Sequence, residues 1–109
     1  MASQTDHIRA LNDEFRQKIS ANFAVITLGV AALGRLAVDR TVKTIALYDD
    51  FCQATDPYHE HDFGSFDAEG QTIFFKIDYY DRALICHSPD PANPSVTQRV
   101  MTIMLAHEY

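Results

Sequence analysis

The chain has few of the features that secreted or membrane-spanning proteins need. Its two cysteines, Cys52 and Cys86, form no C-x-x-C pair. Isolated thiols are typical of a reducing compartment, where they are buried as small apolar groups. No basic and apolar leader opens the sequence, and the longest apolar stretch, 23–33, is too short for a bilayer. We therefore expect a cytoplasmic protein with two buried thiols.

Basic residues are scarce in the middle of the chain. Between residues 49 and 90, ten acidic residues are opposed only by Lys76 and Arg82, a balance of −8 in a chain of net charge −6. Because nucleic-acid binding requires cations against the phosphates, we expect no direct nucleic-acid binding. The short apolar stretch leads us to expect no membrane partner either. The segment fits a basic protein partner or a cation site. The alternative is a solvated acidic face that only maintains solubility.

Several catalytic signatures are also missing. The sequence contains no glycine-rich phosphate loop, no G-x-S-x-G turn and no Cys–His nucleophile pairing. What is present is 47% hydrophobic and 22% charged residues in 109, the composition of one globular domain over 1–109.

The first half of the chain predicts helix, strand and helix. Apolar residues at helical spacing follow the capping-box pair Ser3 and Asp6 and predict a helix over 5–20. Residues 23–28 predict a buried strand, and 30–33 a turn or a single helical turn. Asp39 is expected to cap a second helix, which ends before Asp56-Pro57 and buries Val42, Ile45, Tyr48 and Cys52.

The second half predicts three strands and a last helix. Strands are expected at 65–67, 72–80 and 84–86, with a three-residue bulged turn at 68–70 between the first two. Alternation places Ile73, Phe75, Ile77 and Tyr79 on one face. Asn93 and Pro94 open a final helix whose stripe is Val96, Val100, Ile103, Met104 and His107. The prediction is an α+β domain of about four mostly antiparallel strands with three helices packed on the sheet. Residues 100–105 are core or a homodimer contact, and periodicity leaves both open.

The densest group of functional side chains is His59-Glu60-His61-Asp62. In an extended loop the two histidines project to the same side, and imidazole with carboxylate suits a divalent metal such as zinc, iron or manganese. His61, Glu60 and Asp62 are the metal ligands on this interpretation. The structural alternative is that His61 and Asp62 hold a buried loop by bonding backbone groups.

Lys76 and Asp78 lie two residues apart on one strand face, within reach of the loop carboxylates. A lysine beside carboxylates is typical of metal-dependent nucleases, but Phe74 stands where that motif requires an acid. The alternative is an ion pair on the sheet face. Acidic residues beside aromatic ones also suit a protein-binding patch. The partner-binding candidates are Asp49, Asp50, Asp56, Tyr58, Glu60, Asp62, Asp67, Asp78 and Asp81.

Several segments resemble a family of short alphaproteobacterial proteins, often borne on plasmids and other mobile elements, that is catalogued as a domain of unknown function. The resemblance rests on residues 11–16, 27–30, 56–58, 60–64, 76–81, 88–91 and 99–106, with the end at Glu108-Tyr109. Its pattern has glycine at the position of His59, which shifts attention to Glu60, His61, Asp62, Lys76, Asp78 and Asp81.

Two functions follow as expectations. The first is a non-enzymatic acidic protein that binds a basic partner, by analogy an anti-defence inhibitor of a host restriction- or CRISPR-type complex that handles nucleic acid. The alternative is a small metal-dependent hydrolase or nuclease, in which Glu60, His61 and Asp62 hold the ion and Lys76 and Asp78 position water or stabilise charge.

Overall fold

The computed structural model describes residues 3–109, except for the Asn22 side chain. The elements are α1 (Gln4–Gln17), β1 (Ala24–Ile26), α2 (Leu28–Ala31), α3 (Arg35–Ala46), β2 (Phe63–Ala68), β3 (Gln71–Tyr80) and β4 (Gln98–Leu105). The sheet order is β1-β4-β3-β2; β1 runs parallel to β4, and the other two pairs are antiparallel. The predicted α+β class, with four mostly antiparallel strands and three helices, is confirmed.

The first helix begins where its cap predicts. Ser3 Oγ accepts the Asp6 amide at 3.1 Å, and Asp6 Oδ2 accepts the Ser3 amide at 3.2 Å. These reciprocal bonds satisfy two amides that the helix leaves without partners. The helix ends at Gln17, three residues before the predicted end.

The bounds of α3 differ from the prediction. The helix begins after Gly34, whose φ of 97° lets the chain turn out of α2, so the predicted cap at Asp39 is wrong. It ends at Ala46 instead of before Asp56-Pro57. Cys52 therefore lies beyond the helix, and both cysteines are exposed, so the expectation of buried thiols is wrong. The predicted burial of Val42, Ile45 and Tyr48 is confirmed.

The β2–β3 hairpin is tighter than predicted. Ala68 pairs with Gln71, which leaves a two-residue turn of Glu69 and Gly70, with φ of 56° and 73°. Two consecutive left-handed residues are typical of a type I′ turn, so no bulge is needed. The predicted alternation on β3 is confirmed, because four side chains on one face are at most 9% exposed: Ile73, Phe75, Ile77 and Tyr79.

The predicted C-terminal helix is wrong. Asn93 does cap a turn by accepting the Ser95 amide at 3.0 Å, but that 3₁₀ turn ends at Val96. Residues 98–105 form β4 instead, which pairs with β1 on one side and β3 on the other. The predicted strand at 84–86 is also wrong, since Leu84 has φ of 60° and only a single bridge joins Tyr80 to His87.

The helices and the sheet enclose one core. Buried residues of α1 and α3 pack against the face of the sheet that carries Phe75 and Ile103. The opposite face is open and carries Phe63 and Phe74, whose rings both contact Tyr109 edge to face. No helix in the described part of the chain is long and apolar enough to cross a membrane.

Candidate functional site

The loop between α3 and β2 turns tightly around one buried carboxylate. Asp56 is 2% exposed, and its Oδ1 accepts the amides of Glu60 and His61 at 3.0 and 3.1 Å. His59 and His61 have φ of 59° and 57°, in the left-handed region. The loop is therefore not extended, and the expectation that it is extended there is wrong.

Helix α1 holds this loop from the other side. Arg9 Nη1 donates to the His59 carbonyl at 3.0 Å, and Asn12 Nδ2 donates to the Glu60 carbonyl at 2.9 Å. His61 Nδ1 lies 2.8 Å from Asp13 Oδ1. Because three side chains within about one turn of α1 contact three successive loop residues, the loop conformation depends on the position of α1.

An aromatic contact completes the attachment. The His61 imidazole stacks on Phe51 with centroids 3.8 Å apart and planes 3° apart. The Arg16 guanidinium lies 5.0 Å from the same ring and also donates to Asp13 Oδ1 at 2.7 Å. Partial burial alone would raise the pKa of the Asp13 carboxyl, but the interactions with Arg16 and His61 together outweigh it and lower that pKa. Asp13 is thus an anion shared by two cation-forming side chains.

A chain of hydrogen bonds runs through the interior beneath the loop. Arg99 Nε donates to Asn12 Oδ1 at 2.6 Å, and Asn12 Nδ2 donates to the Tyr79 hydroxyl at 2.7 Å. That hydroxyl in turn donates to Glu60 Oε1 at 2.8 Å. Burial raises the pKa of Tyr79, so its hydroxyl keeps the proton it donates. We call these four residues the buried network.

Sequence reasoning missed three members of the buried network, but a signal was present. Asn12 lies four residues after Ile8, on the buried stripe of α1. Arg99 lies on the covered face of β4 together with Met101 and Ile103, each two residues further along the strand. A polar residue at a position that periodicity assigns to the core requires a partner, which identifies it as part of a network.

The predicted metal ligands are not gathered into a metal site. Over residues 3–109 no group of three or more His, Cys, Asp or Glu side chains is placed to hold an ion. Glu60 bonds Tyr79 and His61 bonds Asp13. The Asp62 carbonyl accepts the amide of Ile77 at 2.8 Å, which joins the loop to β3. The side chain that holds the loop by bonding backbone amides is Asp56, whereas the structural alternative assigned this role to His61 and Asp62.

The two strand residues of the hydrolase hypothesis lie elsewhere. Lys76 Nζ is 3.3 Å from Asp78 Oδ2, so they form the ion pair that was the alternative interpretation. Both side chains lie on the open face of the sheet, whereas Glu60 bonds Tyr79 on the covered face. Asp62 reaches the open side and lines a cleft of about 370 Å³ with Asp78. The five residues are thus divided between two faces.

Three of the partner-binding candidates converge elsewhere. Asp49, Asp50 and Asp67 surround a hollow of about 670 Å³ between the end of α3 and β2. None of these carboxylates lies within 4.0 Å of a described cation, and all three residues are exposed. We call this surface the acidic depression; Thr44, Leu47, Tyr48, Ser65 and Phe66 also line it.

Tyr48 supports the acidic depression. Its hydroxyl lies 3.0 Å from the Asp50 carbonyl, 3.2 Å from the Ser65 carbonyl and accepts the Ser65 amide at 3.3 Å. Burial raises the pKa of Tyr48, so the hydroxyl remains a donor. The Tyr48 hydroxyl thus contacts the amide and the carbonyl of Ser65 on the edge of β2 that faces away from β3. Its contact with the Asp50 carbonyl fixes the 49–50 segment against β2.

The remaining candidates are dispersed. Asp56 is buried in the loop, and Glu60 belongs to the buried network. Tyr58 is 76% exposed at the loop surface. Asp81 Oδ1 accepts the Ile85 amide at 3.0 Å and shapes the turn after β3.

Comparison with known proteins gives one match. The model of the family described as protein of unknown function (DUF3768) matches residues 26–108. The match begins in β1 and leaves out α1, although the sequence resemblance had included residues 11–16. No curated protein and no solved structure matches the chain. The matched residues include the loop, the acidic depression, Tyr79 and Arg99, and the chain belongs to this family of proteins of unknown function.

Proposed function

We propose that the protein is a non-enzymatic binding protein whose acidic depression engages a basic partner protein. The observation that carries this proposal is the convergence of Asp49, Asp50 and Asp67 on one hollow, with no described cation within 4.0 Å of their carboxylates. Carboxylates of one sign that line one hollow attract a cation. A lysine or arginine from a partner supplies that cation on binding.

Apolar surface beside these charges favours a protein partner over a free cation. Leu47 is 83% exposed next to Asp49, and Phe66 lines the same hollow. Protein interfaces combine an apolar centre with a polar rim, and the rim excludes water from the central contacts. The depression has both parts.

The charge pattern also favours a class of partner. Proteins that handle nucleic acid carry clustered lysines and arginines for the phosphates. Spaced carboxylates on a small protein imitate that phosphate charge, so we infer inhibition of such a complex in the cytoplasm, including a host-defence complex opposed by a mobile element. The free and exposed Cys52 and Cys86 are compatible with a reducing compartment.

No observation favours the hydrolase alternative. Its loop carboxylate Glu60 and its strand residues Lys76 and Asp78 lie on opposite faces of the sheet. A catalytic site requires its groups within a few ångströms of one reacting atom.

The test compares two variants that each lose three negative charges. Asp49→Asn/Asp50→Asn/Asp67→Asn neutralises the acidic depression. The control, Glu14→Gln/Asp39→Asn/Asp90→Asn, keeps hydrogen-bond acceptors at sites outside it. Tagged wild type should recover a basic protein from cells, and roughly 0.5 M salt should release it.

The depression variant should lose that protein, and the control should retain it. Equal recovery by all three proteins would contradict the proposal, and so would equal loss from both variants. Circular dichroism establishes that each variant is folded before the comparison.

A further inference from the structure

A groove lies away from the acidic depression and is lined by apolar and basic side chains. It has a volume of about 460 Å³ and lies between α1, the 3₁₀ turn Ala21–Phe23 and the start of β4. Its apolar lining comes from Leu11, Phe15, Ile19 and Phe23, and Phe23 is 78% exposed. A volume of this size lies within the range of small-molecule pockets.

Arg99 is a buried cation in the lining of this groove. The residue is 9% exposed, and its guanidinium lies 5.1 Å from the Tyr79 ring. Nε donates to Asn12 and Nη2 donates to the Pro91 carbonyl at 2.6 Å. Among the side chains and backbone groups that the structure describes, none forms a hydrogen bond with Nη1, and no carboxylate lies within 4.0 Å of the guanidinium. The Glu60 carboxylate is connected to this guanidinium only through Asn12 and Tyr79. A buried charge without a directly bonded counter-ion is unfavourable, which points to an anion supplied from outside.

Arg82 adds a second guanidinium to the same groove. Its Nη1 donates to the Thr97 carbonyl at 3.3 Å, and no described carboxylate lies within 4.0 Å of it. Lys18 also lines the groove but is paired with Glu14 at 3.0 Å. Three other arginines of the chain do hold a carboxylate: Arg9, Arg16 and Arg40. The two unpaired guanidiniums of the groove differ from these in a protein of net charge −6.

We propose that this groove binds a small carboxylic acid with an apolar body, such as a medium-chain fatty acid. The carboxylate would lie against Arg99 and Arg82, because a guanidinium presents parallel donors to two carboxylate oxygens. The hydrocarbon would cover Leu11, Phe15 and Phe23. Charge and apolar surface thus select an amphiphilic anion over a simple ion or a neutral hydrocarbon.

The test uses three probes that separate charge from apolar body: octanoate, 1-octanol and acetate. Titration followed by amide NMR should show octanoate shifting residues 11–19 and 97–99 with one binding site. 1-Octanol and acetate should each bind at least roughly tenfold more weakly, because each lacks half of the recognised chemistry. Equal binding of octanoate and 1-octanol would overturn the proposal, as would no shift at millimolar octanoate.

Variants locate the site. Arg82→Gln should weaken octanoate binding roughly tenfold, and Arg35→Gln, which removes the same charge from an exposed position at the start of α3, should leave it unchanged. Equal effects of both variants would indicate unspecific ion attraction and overturn the proposal. The Asp49→Asn/Asp50→Asn/Asp67→Asn variant should bind octanoate like wild type, since the acidic depression shares no lining residue with the groove. This inference and the proposed function can therefore fail separately.

Discussion

The buried network and the acidic depression differ in how their polar groups are satisfied. In the network, Asn12 uses both its oxygen and its nitrogen, and Tyr79 both accepts and donates a hydrogen bond. In the depression, Asp49 and Asp50 are exposed and no described cation lies within 4.0 Å of their carboxylates. Buried polar groups without partners are costly, whereas exposed ones are solvated. The network therefore stabilises the fold, and the depression is free to bind.

The acidic residues of the chain fall into two groups, those held by the fold and those left exposed. Asp13 and Asp56 lie in the fold's internal contacts, while Asp67 lies at the rim of a hollow. Charge in the sequence alone does not distinguish these cases. Their difference is measurable, because substitutions in the network should act on stability and those in the depression on binding.

The largest effect is expected for Asn12→Leu. It removes the three hydrogen bonds of the buried Asn12 side chain and leaves Arg99 Nε and the Glu60 carbonyl without their partner. The free energy of unfolding should fall by about 3 kcal/mol. Urea denaturation measures it, with Gln17→Leu at an exposed position of α1 as the control. A change below about 0.5 kcal/mol would show that the network contributes nothing.

The next effect is expected at Gly64, the second residue of β2. A Cβ there would approach the Phe75 ring to 2.3 Å and the Tyr48 ring to 2.9 Å. Gly64→Ala should therefore reduce the free energy of unfolding by about 2 kcal/mol through overpacking. Thermal unfolding followed by circular dichroism tests this, and an unchanged midpoint would contradict the packing described here.

A smaller effect is expected for Asp62→Asn. Burial, followed by the charge of Glu60, raises the pKa of Asp62 from 3.8 to about 6. Because the folded protein holds this proton more tightly than the unfolded chain, the free energy of unfolding falls as pH rises from about 4 to about 6. Asp62→Asn removes that loss and should raise the free energy of unfolding by about 1 kcal/mol at pH 7. Solvent screening limits the size of this gain.

The pH dependence distinguishes this effect from a general change in charge. Near pH 3.5 both states of the wild type are largely protonated at Asp62, so the gain from Asp62→Asn should vanish. Asp39→Asn, at an exposed position of α3, should show no such pH dependence. A gain of equal size at both pH values would show that ionisation of Asp62 is not its cause.

The smallest effect on stability is expected for the triple substitution of the acidic depression. Asp49, Asp50 and Asp67 are exposed, so the free energy of unfolding should stay within about 0.5 kcal/mol of wild type. Urea denaturation measures it. A loss above about 2 kcal/mol would place these residues with the network and remove the contrast between the two regions.

Local signals predicted much of the fold. The Ser3 cap, the alternation of β3 and the Asn93 cap each depend on neighbouring residues, and each is present. The prediction of a helix over 94–109 was wrong because the apolar residues of 98–105 fit both the helical period and the strand period. Val100, Thr102 and Ile103 are β-branched, and β4 gains hydrogen bonds on two sides from β1 and β3, which local pattern does not reveal.

The sites were predicted less well than the fold. The sequence identified Glu60, His61 and Asp62 as a group, but their roles depend on Asp13, Tyr79 and Ile77, which are distant in the chain. Convergence of Asp67 with Asp49 also requires β2 to lie beside the end of α3. Such contacts are set by tertiary packing, so composition predicted an acidic surface without locating it.

Carbodiimide cross-linking tests directly whether the acidic depression contacts the partner, because it joins a carboxylate to a lysine amine that touches it. Wild-type protein would be cross-linked in its partner complex and the joined peptides identified by mass spectrometry. If the acidic depression binds the partner, links should join Asp49, Asp50 or Asp67 to partner lysines, and none should involve the exposed Asp39. Links confined to carboxylates outside the acidic depression would contradict the proposed function.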